Sequence, residues 1–156
     1  MITVEPVTAA TLARRAAPPQ WRGFLRALVE TLDEHVDAEG RAALMHAIGV
    51  RMAAALPLPY CDTLSGLEGC INDALSAADW GYCRLALDTQ SPRLVVTHGA
   101  APAVAAGADE EGAWAGAVLE GLYTTWFAAQ PGADPTVPLK LTSWAPGKAV
   151  LEYGRE

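Results

Sequence analysis

The side chains through which this 156-residue chain could do chemistry are few, and their spacing supports little. His35, His46 and His98 read as a helix end, a helix and a strand end, with no H-E-x-x-H or comparable ligand pair. Cys61, Cys70 and Cys83 are an odd set without zinc-type spacing. They suggest neither a disulfide framework nor a C-x-x-C site, and buried free thiols acting as small hydrophobes are expected. No G-x-S-x-G elbow, Gly-rich phosphate loop or protease-type cysteine signature occurs. Asp33, Glu34, Asp37, Glu39 and the run Asp109 to Glu111 cluster at helix ends and in loops. Solvation and capping explain them better than the paired-carboxylate chemistry of a glycosidase. The expectation is no catalytic residue, no metal and no cofactor.

Glu120 stands apart, as the only charge between Ala113 and Ala129. It could be an acid in a dry interface that hydrogen-bonds sugar hydroxyls. The favoured reading is a paired structural charge, with Arg41, Arg51 or Arg84 as partner, because unpaired burial costs on the order of several kcal/mol. Tryptophans can stack on sugar faces, presenting an apolar ring and a polar edge. Trp80, Trp114 and Trp126 read as core or interface. Trp21, with Arg14 and Arg15 just upstream, is the better candidate for contact with a polysaccharide.

The segment holding Glu120 must be a helix with almost no polar face. At about 100° per residue, Trp114, Val118, Leu122 and Trp126 form one stripe, widened by Leu119, Tyr123 and Phe127. Ala113, Ala117, Gly121, Thr124 and Ala128 form a strip of small residues. Gly121 gives up about 1 kcal/mol of helix propensity relative to alanine, which points to a close approach by a neighbour. A helix apolar nearly all round must be buried nearly all round, which is hard in a two-layer domain. A second copy of the chain is therefore the expected cover, with Ala117, Gly121, Leu122, Thr124 and Ala128 at the interface.

The remaining elements follow from period and punctuation. Residues 1–19 are rich in Ala, Thr and Pro and read as a flexible N-terminal arm, ordered only if something holds it. Residues 20–156 read as a single domain. Helices are expected from Gln20 through Val36, from Ala42 to Leu56, and after a cap at Thr63 or Ser65, with Glu68 completing a capping box from Ser65. Hairpins follow at 82–98 and 137–153, on either side of the apolar helix. The class is α+β, with N-terminal helices and a small antiparallel sheet of two hairpins. The net charge of −7 argues against nucleic acid and anionic membrane surfaces. It is uneven: Arg14, Arg15, Arg22 and Arg26 against Glu5 give residues 1–26 a charge of +3, leaving −10 elsewhere. No apolar run reaches the length of a membrane span, and no signal-peptide core follows Met1. A cytoplasmic protein is expected, with the periplasm left open.

The pattern Trp114-x3-Val118-Leu119-Glu120-Gly121-Leu122-Tyr123-x2-Trp126, followed by Gln130, resembles the signature of the cellulose synthase operon protein D family. Further resemblance runs through Arg41 to Met52, Pro57-x-Pro59-x-Cys61, the Trp80-Gly81 pair and the strands ending at His98, over roughly residues 24–130. The arm is longer than the family pattern, and residues 131–156 match weakly. The resemblance implies a non-catalytic accessory subunit, a homo-octamer built as a ring of four dimers, with passages for nascent β-1,4-glucan chains. It implies partnership with other synthase subunits and with a Pro-rich cellulose-complementing protein. The main rival reading is a sensor domain enclosing a small apolar molecule among Met45, Ile48, Met52 and the core cysteines. A glycan hydrolase is a distant third.

Overall fold

The first half of the chain is helical and the second half supplies a sheet with one helix inserted between its hairpins. The computed structural model describes residues 6–107 and 109–155. Helix α1 spans Pro6–Arg15, α2 Pro19–His35, α3 Ala38–Ala55 and α4 Leu64–Ala78. Strands β1 (Tyr82–Asp88) and β2 (Arg93–Gly99) precede α5 (Ala115–Ala128), and β3 (Leu139–Ala145) and β4 (Lys148–Tyr153) follow it. This is the α+β arrangement that the sequence predicts.

Local chemistry sets the boundaries. Pro18 and Pro19 open α2, where a proline forfeits no helical hydrogen bond. The Asp37 carboxylate accepts the Gly40 N–H at 2.7 Å and so caps α3, which places Gly40 inside the helix rather than before it. Thr63 caps α4 through Gly66 N–H at 3.0 Å. The capping box expected from Ser65 and Glu68 does not form, because Glu68 accepts the N–H of Leu85 on β1 at 2.9 Å. Helix α4 ends on Asp79 in the left-handed region (φ 54°), with the Trp80 N–H returning to the Leu75 carbonyl at 3.0 Å.

The sheet is antiparallel throughout, in the order β1-β2-β4-β3. Register aligns Leu85, Val96, Leu151 and Leu141 in one row, and Cys83, His98, Ala149 and Trp144 in the next. A register shift between Leu141 and Ser143 offsets β3. Leu85, Val96 and Leu151 are buried with Leu119, Leu122, Tyr123, Trp126 and Phe127 of α5. On its other side α5 packs along α3, and Val29, Met45, Trp114, Ala115 and Val118 form a second cluster.

This arrangement overturns the expectation that α5 needs another copy to cover it. The fold has α5 sandwiched between α3 and the sheet within one chain, so a third layer supplies the missing cover. Gly121 and Leu122 are buried inside the protomer, Ala117 and Thr124 are half-buried, and Ala128 is exposed.

Residues 1–5 of the expected arm lie outside the described residues, and the rest of it differs from its expected form. Residues 6–15 are helical, and Ala9, Ala13 and Ala17 are buried. What holds α1 is identifiable: Ala103 N–H donates to the Ala13 carbonyl at 2.9 Å, and Arg14 pairs with Glu111 at 3.0 Å. The backbone of Ala9 and Ala10 lies so close to Gly147 that a Cβ there would collide with it. The Ala-rich stretch after β2 is buried from Gly99 to Val104 beside this helix. Its small side chains permit the close passage.

Candidate functional site

Helices α3 and α5 cross at two glycines. A Cβ at Gly49 would strike the Val118 carbonyl, and a Cβ at Gly121 would strike the His46 carbonyl. The close approach inferred at Gly121 is therefore real, but the neighbour is α3 of the same chain. Bringing two backbones together leaves the flanking side chains, Met45 and Ala53 on α3 and Val118 and Leu122 on α5, fully packed.

Beneath α5 lies a buried polar chain. His98 is fully buried; its Nε2 lies 2.7 Å from the Trp80 carbonyl and its Nδ1 2.5 Å from the Tyr123 hydroxyl. A carbonyl only accepts, so Nε2 carries the proton and Nδ1 accepts from Tyr123. Burial drives the His98 pKa down to about 4, against the opposing pull of the Trp80 carbonyl. Burial likewise raises the Cys83 thiol, which contacts Tyr123, to about 12, and lifts Tyr123 well above its ordinary range. All three are neutral at neutral pH. Satisfied hydrogen bonding, rather than proton transfer, accounts for them.

The sequence suggests an arginine partner for Glu120; the partner that the structure gives it is main chain. Its carboxylate accepts the N–H of Leu141 on β3 at 2.7 Å, while Arg41 goes to Asp33 at 2.7 Å and to Asp109. The opposite edge of the sheet is treated alike. Glu68 accepts from Leu85, and the Asn72 amide both accepts from Cys83 N–H at 2.8 Å and donates to its carbonyl at 2.9 Å. Helical side chains thus occupy backbone groups of Cys83 and Leu85 on edge strand β1 and of Leu141 on edge strand β3, which would otherwise be free to pair with another strand.

The other motif residues have structural roles as well. Trp114 donates Nε1–H to the Val104 carbonyl at 3.0 Å, and Trp126 donates to the Leu56 carbonyl at 2.9 Å. Gln130 clasps the α3–α4 connection, donating to the Pro59 carbonyl at 3.1 Å and accepting from Cys61 N–H at 3.0 Å. Val118, Leu119 and Leu122 fill the core. The signature that dominates the sequence is a recipe for folding one chain.

The surface that lacks cover lies elsewhere. Trp21 and Phe24 on α2 are 51% and 57% exposed, with rings edge-on at 5.7 Å, and Leu28 on the same helix is exposed too. On α3, Leu44 and Ile48 are exposed one turn apart. Trp21, Leu28 and Ile48 line one cleft of about 470 Å³, floored by Val29, Met45 and Trp114. Helix α2 touches α3 only lightly. Of the candidate glucan contacts, Trp21 stands at this cleft, Arg14 is engaged by Glu111, and Arg15 is exposed at the end of α1. Periodicity puts Phe24, Leu28, Leu32 and Val36 at i+4 steps with Leu25 and Val29 beside them, and so does not say which part of this broad apolar face turns outward. In the fold Leu25, Val29 and Leu32 face inward, and Phe24 and Leu28 are left exposed.

The family model for the D-subunit of cellulose synthase matches residues 7–154. The chain belongs to the cellulose synthase D-subunit family. A protein named cellulose synthase operon protein D from Komagataeibacter xylinus is 35% identical over 117 residues, covering 75% of each chain. A protein of the same name from Komagataeibacter sucrofermentans is 34% identical over 117 residues, again 75% of each. A further one from Komagataeibacter xylinus is 32% identical over 115 residues, 74% of each. Membership ties the chain to bacterial cellulose biosynthesis. The match extends beyond residues 24–130 at both ends, taking in most of α1 and the second hairpin. Among the described residues, no helix is long and apolar enough to cross a membrane.

Proposed function

We propose that the chain is a non-catalytic, oligomeric scaffold of bacterial cellulose biosynthesis, which organises synthase complexes and guides nascent β-1,4-glucan chains for export and crystallisation. The observation that carries this reading is the aromatic and aliphatic patch of α2 and α3, on a chain of the cellulose synthase D-subunit family. Contiguous apolar surface rimmed by polar residues marks an association site. In this reading Trp21, Phe24, Leu28, Leu44 and Ile48 are covered by further copies, and the particle is an octamer of four dimers. Ala128, Thr124 and Ala117 lie at most at its margin. Of the candidate glucan contacts, Arg15 is the one left to meet glucan in this reading, because Trp21 goes to the contact between copies and Arg14 is engaged by Glu111. Other synthase subunits and a Pro-rich cellulose-complementing protein complete the partners, and the site of action is the cytoplasm.

Light scattering of the purified protein tests the assembly, with about 131 kDa expected, eight times the 16.4 kDa chain. A lasting monomer contradicts it. Deleting the gene tests the role: cellulose yield falls and fibril order is lost if the reading holds, and both are unchanged if it fails.

One observation favours the rival reading, a small-molecule sensor: Met45 and Ile48 do line the cleft. Met52 and the cysteines do not. Native mass spectrometry separates the two, since eight empty copies support the scaffold and a retained small molecule supports the sensor.

A further inference from the structure

Two of the three cysteines, which no spacing rule would pair, meet at the start of α4. Cys61 ends the Pro57-Leu-Pro-Tyr connection from α3, and Cys70 lies in the second turn of α4. Their sulfurs are 3.4 Å apart, and the Cys61 thiol also donates to the Pro59 carbonyl at 3.3 Å. The connection is not free to swing away. Gln130 holds Pro59 and Cys61 from one side, and Trp126 holds Leu56. Bonded sulfurs stand about 2.05 Å apart, so closure needs an approach of roughly 1.4 Å, within reach of side-chain rotation. Both residues are half-buried, which leaves them open to a small thiol or disulfide. Cys83 is buried against Tyr123 and takes no part.

We propose that Cys61 and Cys70 are a thiol–disulfide site, closing an intrachain bond that fastens the α3–α4 connection to α4. The co-reactant is a low-molecular-weight disulfide of the glutathione type. One cysteine thiolate attacks it, forming a mixed disulfide and releasing one small thiol. The second cysteine, having lost its proton to solvent, attacks the protein sulfur of that mixed disulfide and releases the second small thiol. Two protein thiols are thereby oxidised and one small disulfide is reduced to two thiols. Partial desolvation and the neighbouring thiol raise the Cys61 pKa, so closure is slow at neutral pH and faster in mild alkali. The bond closes a ring of ten residues and restricts the unfolded chain. It also fixes the segment carrying Tyr60, which is 78% exposed. A reducing compartment keeps the pair as thiols and an oxidising one closes it, so its state in cells reports where the protein resides.

The test uses the full-length protein, treated with oxidised glutathione in mild alkali and then with dithiothreitol. After oxidation, titratable thiols in denaturant fall from the three present to one. The mass drops by two hydrogens and peptide mapping links residues 61 and 70. The melting temperature rises by about 5–10 °C and returns on reduction. Cys83→Ala shows the same rise relative to its own reduced form, whereas Cys61→Ser shows none and retains a glutathione adduct on Cys70. Three persisting thiols, an unresolved adduct on the wild type, a link to Cys83 or to another copy, or a rise retained in Cys61→Ser would each overturn the proposal.

Discussion

The inner face of α3, against α5, and its outer face, beside α2, both carry apolar residues but have different fates. Inside, Met45, Gly49 and Ala53 meet α5 so closely that two glycines are needed for the backbones to pass. Outside, Leu44 and Ile48 join Trp21, Phe24 and Leu28 in the open. A helix apolar all round, such as α5, is the centre of its own fold. Apolar residues beyond what an amphipathic helix needs, as on α2, are what remain for a partner. The difference is one of backbone distance: the inner contact is built from main chain against main chain and tolerates no added atom, while the outer one is built from rings and branched chains.

The sharpest way to break this contrast is at the crossing. Gly121→Leu, and even Gly121→Ala, should lower stability by about 3 kcal/mol or more, because the new Cβ strikes the His46 carbonyl. Denaturant unfolding measures this. Splitting of an oligomer into well-folded subunits, with stability intact, would return Gly121 to an intersubunit contact.

Acid gives the next largest effect. His98 is held neutral with its pKa near 4, against about 6.5 when unfolded, so the unfolded state binds the extra proton between those values. Stability from this group is complete above about pH 6.5 and declines by about 3 kcal/mol as pH falls to 4. Replacing His98 with Gln should flatten that part of the unfolding-versus-pH profile; an equally steep profile in the variant would assign the acid sensitivity to other groups.

At the sheet edge the expected effect is smaller. Glu120→Ala leaves the Leu141 N–H unpaired and should lose about 1–3 kcal/mol, whereas Glu120→Gln keeps an acceptor and should lose less. Equal losses in both variants would mean that the negative charge, rather than the acceptor, is what β3 requires.

Much of the fold was legible from the sequence. The period of α2 through α5, the Thr63 cap and both hairpins lie where spacing and turn residues put them. Helix α1 was obscured because the side chains it is seen to bury, among those described, are alanines. Ala9, Ala13 and Ala17 do recur at helical spacing, but small residues give a weak periodic signal, and the loop and turn that hold α1 are distant in the chain. The same applies to chemistry. Glu120 reads as a structural charge with an arginine partner, yet the partner found is a backbone N–H, which no sequence pattern advertises. Cys61 and Cys70, nine residues apart, show no relation until the connection is folded back by Gln130.

The smallest effect on stability is expected on the outer face, and it carries the most weight. Trp21→Ser combined with Phe24→Ser removes exposed rings and should leave the fold within about 0.5 kcal/mol per site. The direct test of assembly through the α2 face is the light-scattering mass of this double variant beside that of the wild type, with circular dichroism confirming that both are folded. An assembled wild type and a folded variant reduced to dimers or monomers are expected. A variant that keeps the full wild-type mass would show that assembly does not depend on the α2 face.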